Sequence, residues 1–155
     1  MRALVLAFVL AFPVATGSGV GSEARLVSIG FGCVEADREW RITMTAPGVD
    51  SFAGHIEPGD GSWRVNWLSG MWESSLEPSD STRIISKRTE SIQGRGWSLG
   101  LVERAGDRFW VASDGFAQFL VPEGTPEAVK LLRDIAGRYR NRTDEMKCES
   151  PLEAK

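Results

Sequence analysis

From residue 25 onward, apolar and polar residues alternate with a period of two over much of the chain. Such alternation sends successive side chains to opposite faces of a strand and predicts half-buried β-structure. Val27, Ile29, Phe31 and Cys33 alternate with Ser28, Gly30 and Gly32, which predicts a first strand with Cys33 on its apolar face. Trp40, Ile42 and Met44 alternate with Arg41, Thr43 and Thr45 in a second strand that Pro47-Gly48 ends. Phe52 to Ile56 and Trp63 to Leu68 flank a segment with Pro58, Gly59, Asp60 and Gly61. Proline presets one turn angle and glycine accepts positive φ, so these two runs are predicted to form a hairpin.

The second half is punctuated differently. Glu73 to Thr82 is polar, contains Pro78 and has no period, which predicts a surface loop. Arg83 to Arg88 carries a weak strand pattern. Trp97 to Val102, Arg108 to Ala112 and Phe116 to Val121 follow, separated by Ala105-Gly106-Asp107 and Ser113-Asp114-Gly115. Turns this short join only antiparallel neighbours, because a parallel pair needs a long crossover. One helix comes last, with Thr125 as its expected N-cap and Pro126 at its first position. Val129, Leu132, Ile135, Ala136 and Tyr139 recur at helical spacing along its apolar side. Arg138, Arg140 and Arg142 gather at the negative end of its dipole. The expected fold is mainly β (α+β): an antiparallel curved sheet or small barrel of about seven or eight strands, with one C-terminal helix over a face or opening.

The N-terminus has another character. Arg2 precedes an unbroken apolar run from Ala3 to Phe12, then Pro13 and a series of small residues. This is the order of a secretory signal peptide. The run is too short to span a bilayer, which takes about 20 residues. The expected division is a signal over residues 1–17, with a cut as late as residue 24, a single β-rich domain over 25–148, and a flexible tail over 149–155. Cys33 lies too far beyond the apolar run for a lipid-anchored cysteine. No later run is long enough to span a membrane, so the chain is expected in the periplasm or outside the cell, with no stable membrane span after signal removal.

Export changes the meaning of Cys33 and Cys148, the only two cysteines. In an oxidising compartment they are expected to form one disulfide joining the two ends of the domain. Closing so long a loop stabilises by up to about 4–5 kcal/mol in the chain-entropy model. Charge adds little: 18 Lys+Arg against 21 Asp+Glu give −3, without the clustered basic footprint of a nucleic-acid binder.

Candidate chemistry is sparse. His55 is the sole histidine, so any Ser-His-Asp or Cys-His site would need it. It lies inside a predicted hairpin strand, so an ordinary cross-strand histidine is the simpler reading. Glu57, Asp60 and Glu73 could offer oxygens to calcium, but no loop has the EF-hand order. Neither a phosphate loop nor a dinucleotide fingerprint is present, so no cofactor and no metal are expected. Paired carboxylates of the glycosidase kind cannot be singled out among so many acids.

The tryptophans say more. Trp40, Trp63, Trp67 and Trp97 sit in alternating runs and are expected in the core. Trp72 instead follows Met71 and opens the polar loop. Aromatic residues beside polar loops serve as binding anchors, so Met71, Trp72, Glu73 and Asp60 form the candidate recognition surface. The chain is therefore expected to be a protein-binding module rather than an enzyme: a periplasmic inhibitor, an immunity-type protein or a secretion-accessory protein whose partner is another exported protein. One alternative is a carrier of small hydrophobic ligands with a tryptophan-lined barrel interior. Another is a hydrolase using His55 or paired carboxylates. Mass spectrometry of the exported protein is expected to find a new N-terminus at Ser18, or at Arg25 for the later cut; a retained Met1 would contradict cleavage.

Overall fold

Inward-facing Trp97, Leu99, Phe119 and Val121 are buried as their alternation predicts, and they line one face of a large sheet. The computed structural model describes residues 24–47, 50–70 and 74–153. The expected signal over residues 1–17 lies outside them. Within them the strands are β1 (Arg25–Ile29), β2 (Gly32–Ala36), β3 (Arg41–Pro47), β4 (Ser51–Glu57), β5 (Val65–Gly70), β6 (Thr82–Ile92), β7 (Arg95–Arg104), β8 (Asp107–Ser113) and β9 (Ala117–Pro122). Helix α1 (Ala128–Arg138), β10 (Tyr139–Asn141) and β11 (Leu152–Glu153) complete the order. No helix among the described residues is long and apolar enough to cross a membrane.

The large sheet runs β11-β3-β4-β5-β9-β8-β7-β6. Its seven long strands pair antiparallel, and the two-residue β11 adds parallel to β3. It stays open, with β6 at one edge and β11 at the other, so of the two expected forms the curved sheet is found and not the barrel. A second antiparallel sheet has the order β1-β2-β10. The antiparallel β7-β8-β9 meander agrees with its short turns. The β6–β7 and β7–β8 turns, Gln93-Gly94 and Ala105-Gly106, have positive φ at both positions, the geometry that matches strand twist in a two-residue hairpin. The weak pattern of Arg83 to Arg88 belongs to the eleven-residue β6, an edge strand exposed at most positions and therefore without a buried stripe.

Helix α1 and the small sheet cover the inner face, and Leu132, Ile135, Val27, Ile29 and Val34 join the main core. Trp40, Trp67 and Trp97 are buried, while Trp63 is half-buried edge-on against Trp40 at 5.3 Å between centroids. A smaller core lies on the opposite face, where Leu76 packs with Val102 and Val111. Leu76 comes from the stretch expected to be only a polar surface loop. It is 1% exposed, and the Ser75 amide donates to Gln118 Oε1 at 2.8 Å.

Three local expectations are corrected. The run from Val27 to Cys33 is two strands, because Gly30-Phe31 forms a two-residue turn. Gly30 sits at φ +75° as the first turn residue, the glycine position of a type II′ hairpin. The reversal swaps the faces: Val34 pairs with Val27, whereas Cys33 pairs with Ser28 on the side away from the core. Cys33 is still buried, and its disulfide to Cys148 spans 6.3 Å between Cα atoms. The helix begins at Ala128, not at Pro126, because Thr125 and Pro126 lie in turns closed by Thr125 N–H to the Pro122 carbonyl and Ala128 N–H to the Thr125 carbonyl. Within the tail expected to be flexible, Glu149 exchanges backbone hydrogen bonds with Leu26 and Ser28, and β11 pairs with β3.

At the helix end Tyr139 turns the chain into β10, and the Arg140 guanidinium donates to the Gly137 and Tyr139 carbonyls. Such donors satisfy carbonyls that a helix C-terminus leaves open. Trp67 Nε1, Trp97 Nε1 and the Tyr139 hydroxyl are buried without a hydrogen-bond partner among the described residues, a cost of about 1–3 kcal/mol each against the large apolar area these rings bury. Burial also pushes the Tyr139 hydroxyl up to about 12.

Gly54 lets β4 lie close against β3 and the Trp67 ring. A Cβ there would meet the Thr43 carbonyl and lie 2.6 Å from Trp67 Cζ2. Gly54→Ala is therefore expected to destabilise the fold by about 1–3 kcal/mol, the usual cost of overpacking a filled core. Urea unfolding measures it, and an unchanged midpoint would show that the Trp67 indole yields freely.

Candidate recognition surface

Two exposed phenylalanines, Phe31 and Phe116, are held by hydrogen bonds to the Ser69–Gly70 end of β5. The β1–β2 turn lies so close to β4 and β5 that a Cβ on Gly30 would sit 2.7 Å from Phe52 Cδ2. The Phe31 amide donates to Ser69 Oγ at 3.1 Å, and its carbonyl accepts from the Arg142 amide at 3.3 Å. The Phe31 ring packs edge-to-face on Phe52 with centroids 5.6 Å apart, yet remains 48% exposed. Next in the chain after Ser69, Gly70 donates its N–H to the Phe116 carbonyl at 2.8 Å. Phe116 is 64% exposed, the highest value among the exposed large hydrophobic residues.

The turn that carries Phe116 is held from several sides. Asp114 Oδ1 accepts from the Phe116 amide at 3.0 Å and from the Ala117 amide at 2.8 Å. Asp114 Oδ2 accepts from Arg95 Nη1 at 3.3 Å. Asp and Ser side chains close turns in this way by bonding to the backbone just ahead, and Ser113 Oγ does the same for the Gly115 amide. Both exposed rings thus project from braced turns, which lowers the ordering cost of binding.

The residues proposed from sequence are not all at this end. Met71, Trp72 and Glu73 follow Gly70 in the chain and lie outside the described residues. Asp60 lies in the β4–β5 turn, at the opposite end of β5, roughly 20 Å away at the rise of an extended strand. It is exposed, and its carboxylate is held below its ordinary range by the Ser62 amide, which donates to Oδ1 at 3.0 Å. Asp60 is therefore engaged in its own turn and separate from the end of β5 that holds Phe31 and Phe116. Sequence reasoning missed Phe31 and Phe116 because both sat in apolar runs that read as strand. The turn signals were there, in Gly30 and in Ser113-Asp114-Gly115.

His55 lies on the outer face of β4 between Thr43 and Asn66, its register partners. Partial burial, then the nearby Arg64, pushes its pKa down, and Glu57 opposes them. The Glu57 carboxylate is itself lowered, chiefly by Arg64, which donates to it at 2.7 and 3.0 Å. Among the described residues no group of three or more His, Cys, Asp or Glu is placed to hold a metal ion. A groove of about 910 Å³ runs beside α1 past Trp63 and Gln93. Its charges pair with one another or at its rim: Arg138 with Asp37 and Asp134, Lys130 with Glu127, and Arg133 with Glu90.

Neither protein-family models nor curated proteins give a match to this chain.

The lowered His55 pKa makes stability depend on pH. The folded state favours neutral His55, so the unfolded chain binds the extra proton. Stability from this residue is whole above the ordinary value of 6.5 and falls as pH drops from there through the lowered pKa. Urea unfolding as a function of pH is expected to show this loss, and His55→Gln is expected to flatten it. An equal slope in both proteins would remove His55 as its source.

Proposed function

We propose that this chain is an exported protein-binding module whose recognition surface is the phenylalanine end of the large sheet. The observation that carries this reading is the pair of exposed rings, Phe31 and Phe116, held on braced turns on either side of Gly70. Exposed aromatic rings held on braced turns suit binding anchors, and such anchors dominate the energetics of interaction sites. The partner is another exported protein with an apolar pocket or face, met in the periplasm or outside the cell. An inhibitor, an immunity-type protein or a secretion-accessory protein would work in this way. The disulfide between Cys33 and Cys148 is compatible with that compartment.

The other two readings find less support. A carrier needs an open apolar interior, whereas Trp97 stacks on Phe119 inside an open, filled sheet. A hydrolase built on His55 needs a nucleophile or acids gathered around it, whereas its neighbour Glu57 is engaged by Arg64.

The test is affinity capture from a periplasmic or extracellular fraction with the wild-type protein and with Phe31→Ser/Phe116→Ser. The wild type is expected to retain a specific partner and the double variant to lose it, weakened by about 2 kcal/mol or more, while the variant still unfolds in one cooperative transition. Equal capture by both proteins would overturn this surface, and no specific capture by the wild type would overturn the function.

A further inference from the structure

Among the described residues, strand β6 ends the large sheet with its outer edge unpaired. From Ser86 to Ile92 it pairs with β7 without interruption, between a bulge at Ile85 and the Gln93-Gly94 turn. Open edges of this length invite further strand pairing and are commonly blocked by a lysine or a bulge. Here the bulge lies beyond the regular stretch. The one lysine, Lys87, is drawn back over the outer face, where its ammonium donates to the Leu76 carbonyl at 3.1 Å. Helix α1 makes most of its sheet contacts with β8 and β9, set in from the edge.

We infer that β6 pairs antiparallel with β6 of a second copy, with Thr89 at the twofold axis, so that the two large sheets become one. A twofold interface brings the same patch of each subunit together. In an antiparallel sheet, residues directly opposite share a face. The axis must then pass beside a single residue, with the residues on either side facing each other across it. Charge selects that residue. An axis at Lys87, Arg88 or Glu90 would set like charges directly opposite, which disfavours pairing. An axis at Ser86 would place the Ile85 bulge inside the paired stretch, and one at Ser91 would leave only Glu90 to Ile92 to pair before the turn. At Thr89, threonine faces threonine, and Arg88 faces the partner's Glu90 twice over. Arg88 is 57% exposed, and its guanidinium already lies 3.5 Å from Glu90 of its own strand, on the face where the partner's Glu90 would stand. Arg133 holds Glu90 in place with bonds of 2.6 and 2.9 Å.

The pairing leaves Phe31 and Phe116 uncovered, because β9 and β8 are separated from the edge by β7. It therefore stands or falls independently of the function proposed above.

Sedimentation velocity across a concentration series tests the pairing in the purified oxidised protein. The wild type is expected to dimerise. Arg88→Glu is expected to raise the dissociation constant about tenfold or more, since two attractive pairs become repulsive. Arg88→Glu/Glu90→Arg is expected to recover the dimer. As a second readout, Thr89→Cys places two thiols about 4.5–5.5 Å apart between Cα atoms and should cross-link two copies on oxidation. Arg83→Cys sets them roughly 40 Å apart and should not. A monomer at every concentration, a dimer indifferent to Arg88→Glu, or equal cross-linking at the two positions would overturn the proposal. Pairing of β6 with another protein's strand would appear as a monomer here and counts against it.

Discussion

Tyr139 holds the layers of this protein together. It ends α1, begins β10, and packs edge-on against both Trp97 of β7 and Phe119 of β9, each at 6.0 Å between centroids. Its ring passes so close to Gly32 of β2 that no side chain could stand there. Arg95 covers it from the other side, with its guanidinium carbon 5.2 Å from the ring centre. One side chain thus joins helix, small sheet and large sheet. The burial that achieves this leaves its hydroxyl without a partner among the described residues and its pKa raised. Aromatic rings bury enough area to outweigh one lost hydrogen bond.

The same Arg95 links the core to the proposed recognition surface. It covers Tyr139 and also bonds Asp114, whose other oxygen fixes the Phe116 and Ala117 amides. The exposed Phe116 is therefore carried by a turn anchored to the centre of the fold. Phe31 is anchored through Ser69, which is fully buried. A surface presented in this way loses little conformational freedom on binding.

Much of the fold was legible in the alternation. The β7-β8-β9 meander followed from short turns, and the inward tryptophans from their polar neighbours. What failed did so for identifiable reasons. A two-residue turn at Gly30-Phe31 leaves the count of alternating residues intact while reversing the chain, so Cys33 was assigned to the wrong face. Thr125-Pro126 resembles a helix start, but hydrogen bonds spanning three residues delay α1 until Ala128. Leu76 gave no periodic signal because it acts alone, as a plug over Val102 and Val111.

By itself the sequence determined the kind of elements, because period two and period 3.6 are properties of consecutive residues. It also made Cys33 and Cys148 natural partners, being the only two thiols. Strand order, the open edge at β6, the return of the tail along β1 and β3, and the packing of Phe31 on Phe52 were decided by tertiary structure alone. Each joins residues distant in the chain, and such contacts depend on which faces bury together, a choice that local alternation leaves undetermined. Asp60 shows the same limit: its turn chemistry was readable, but its distance from the phenylalanine end follows only from the direction of β5.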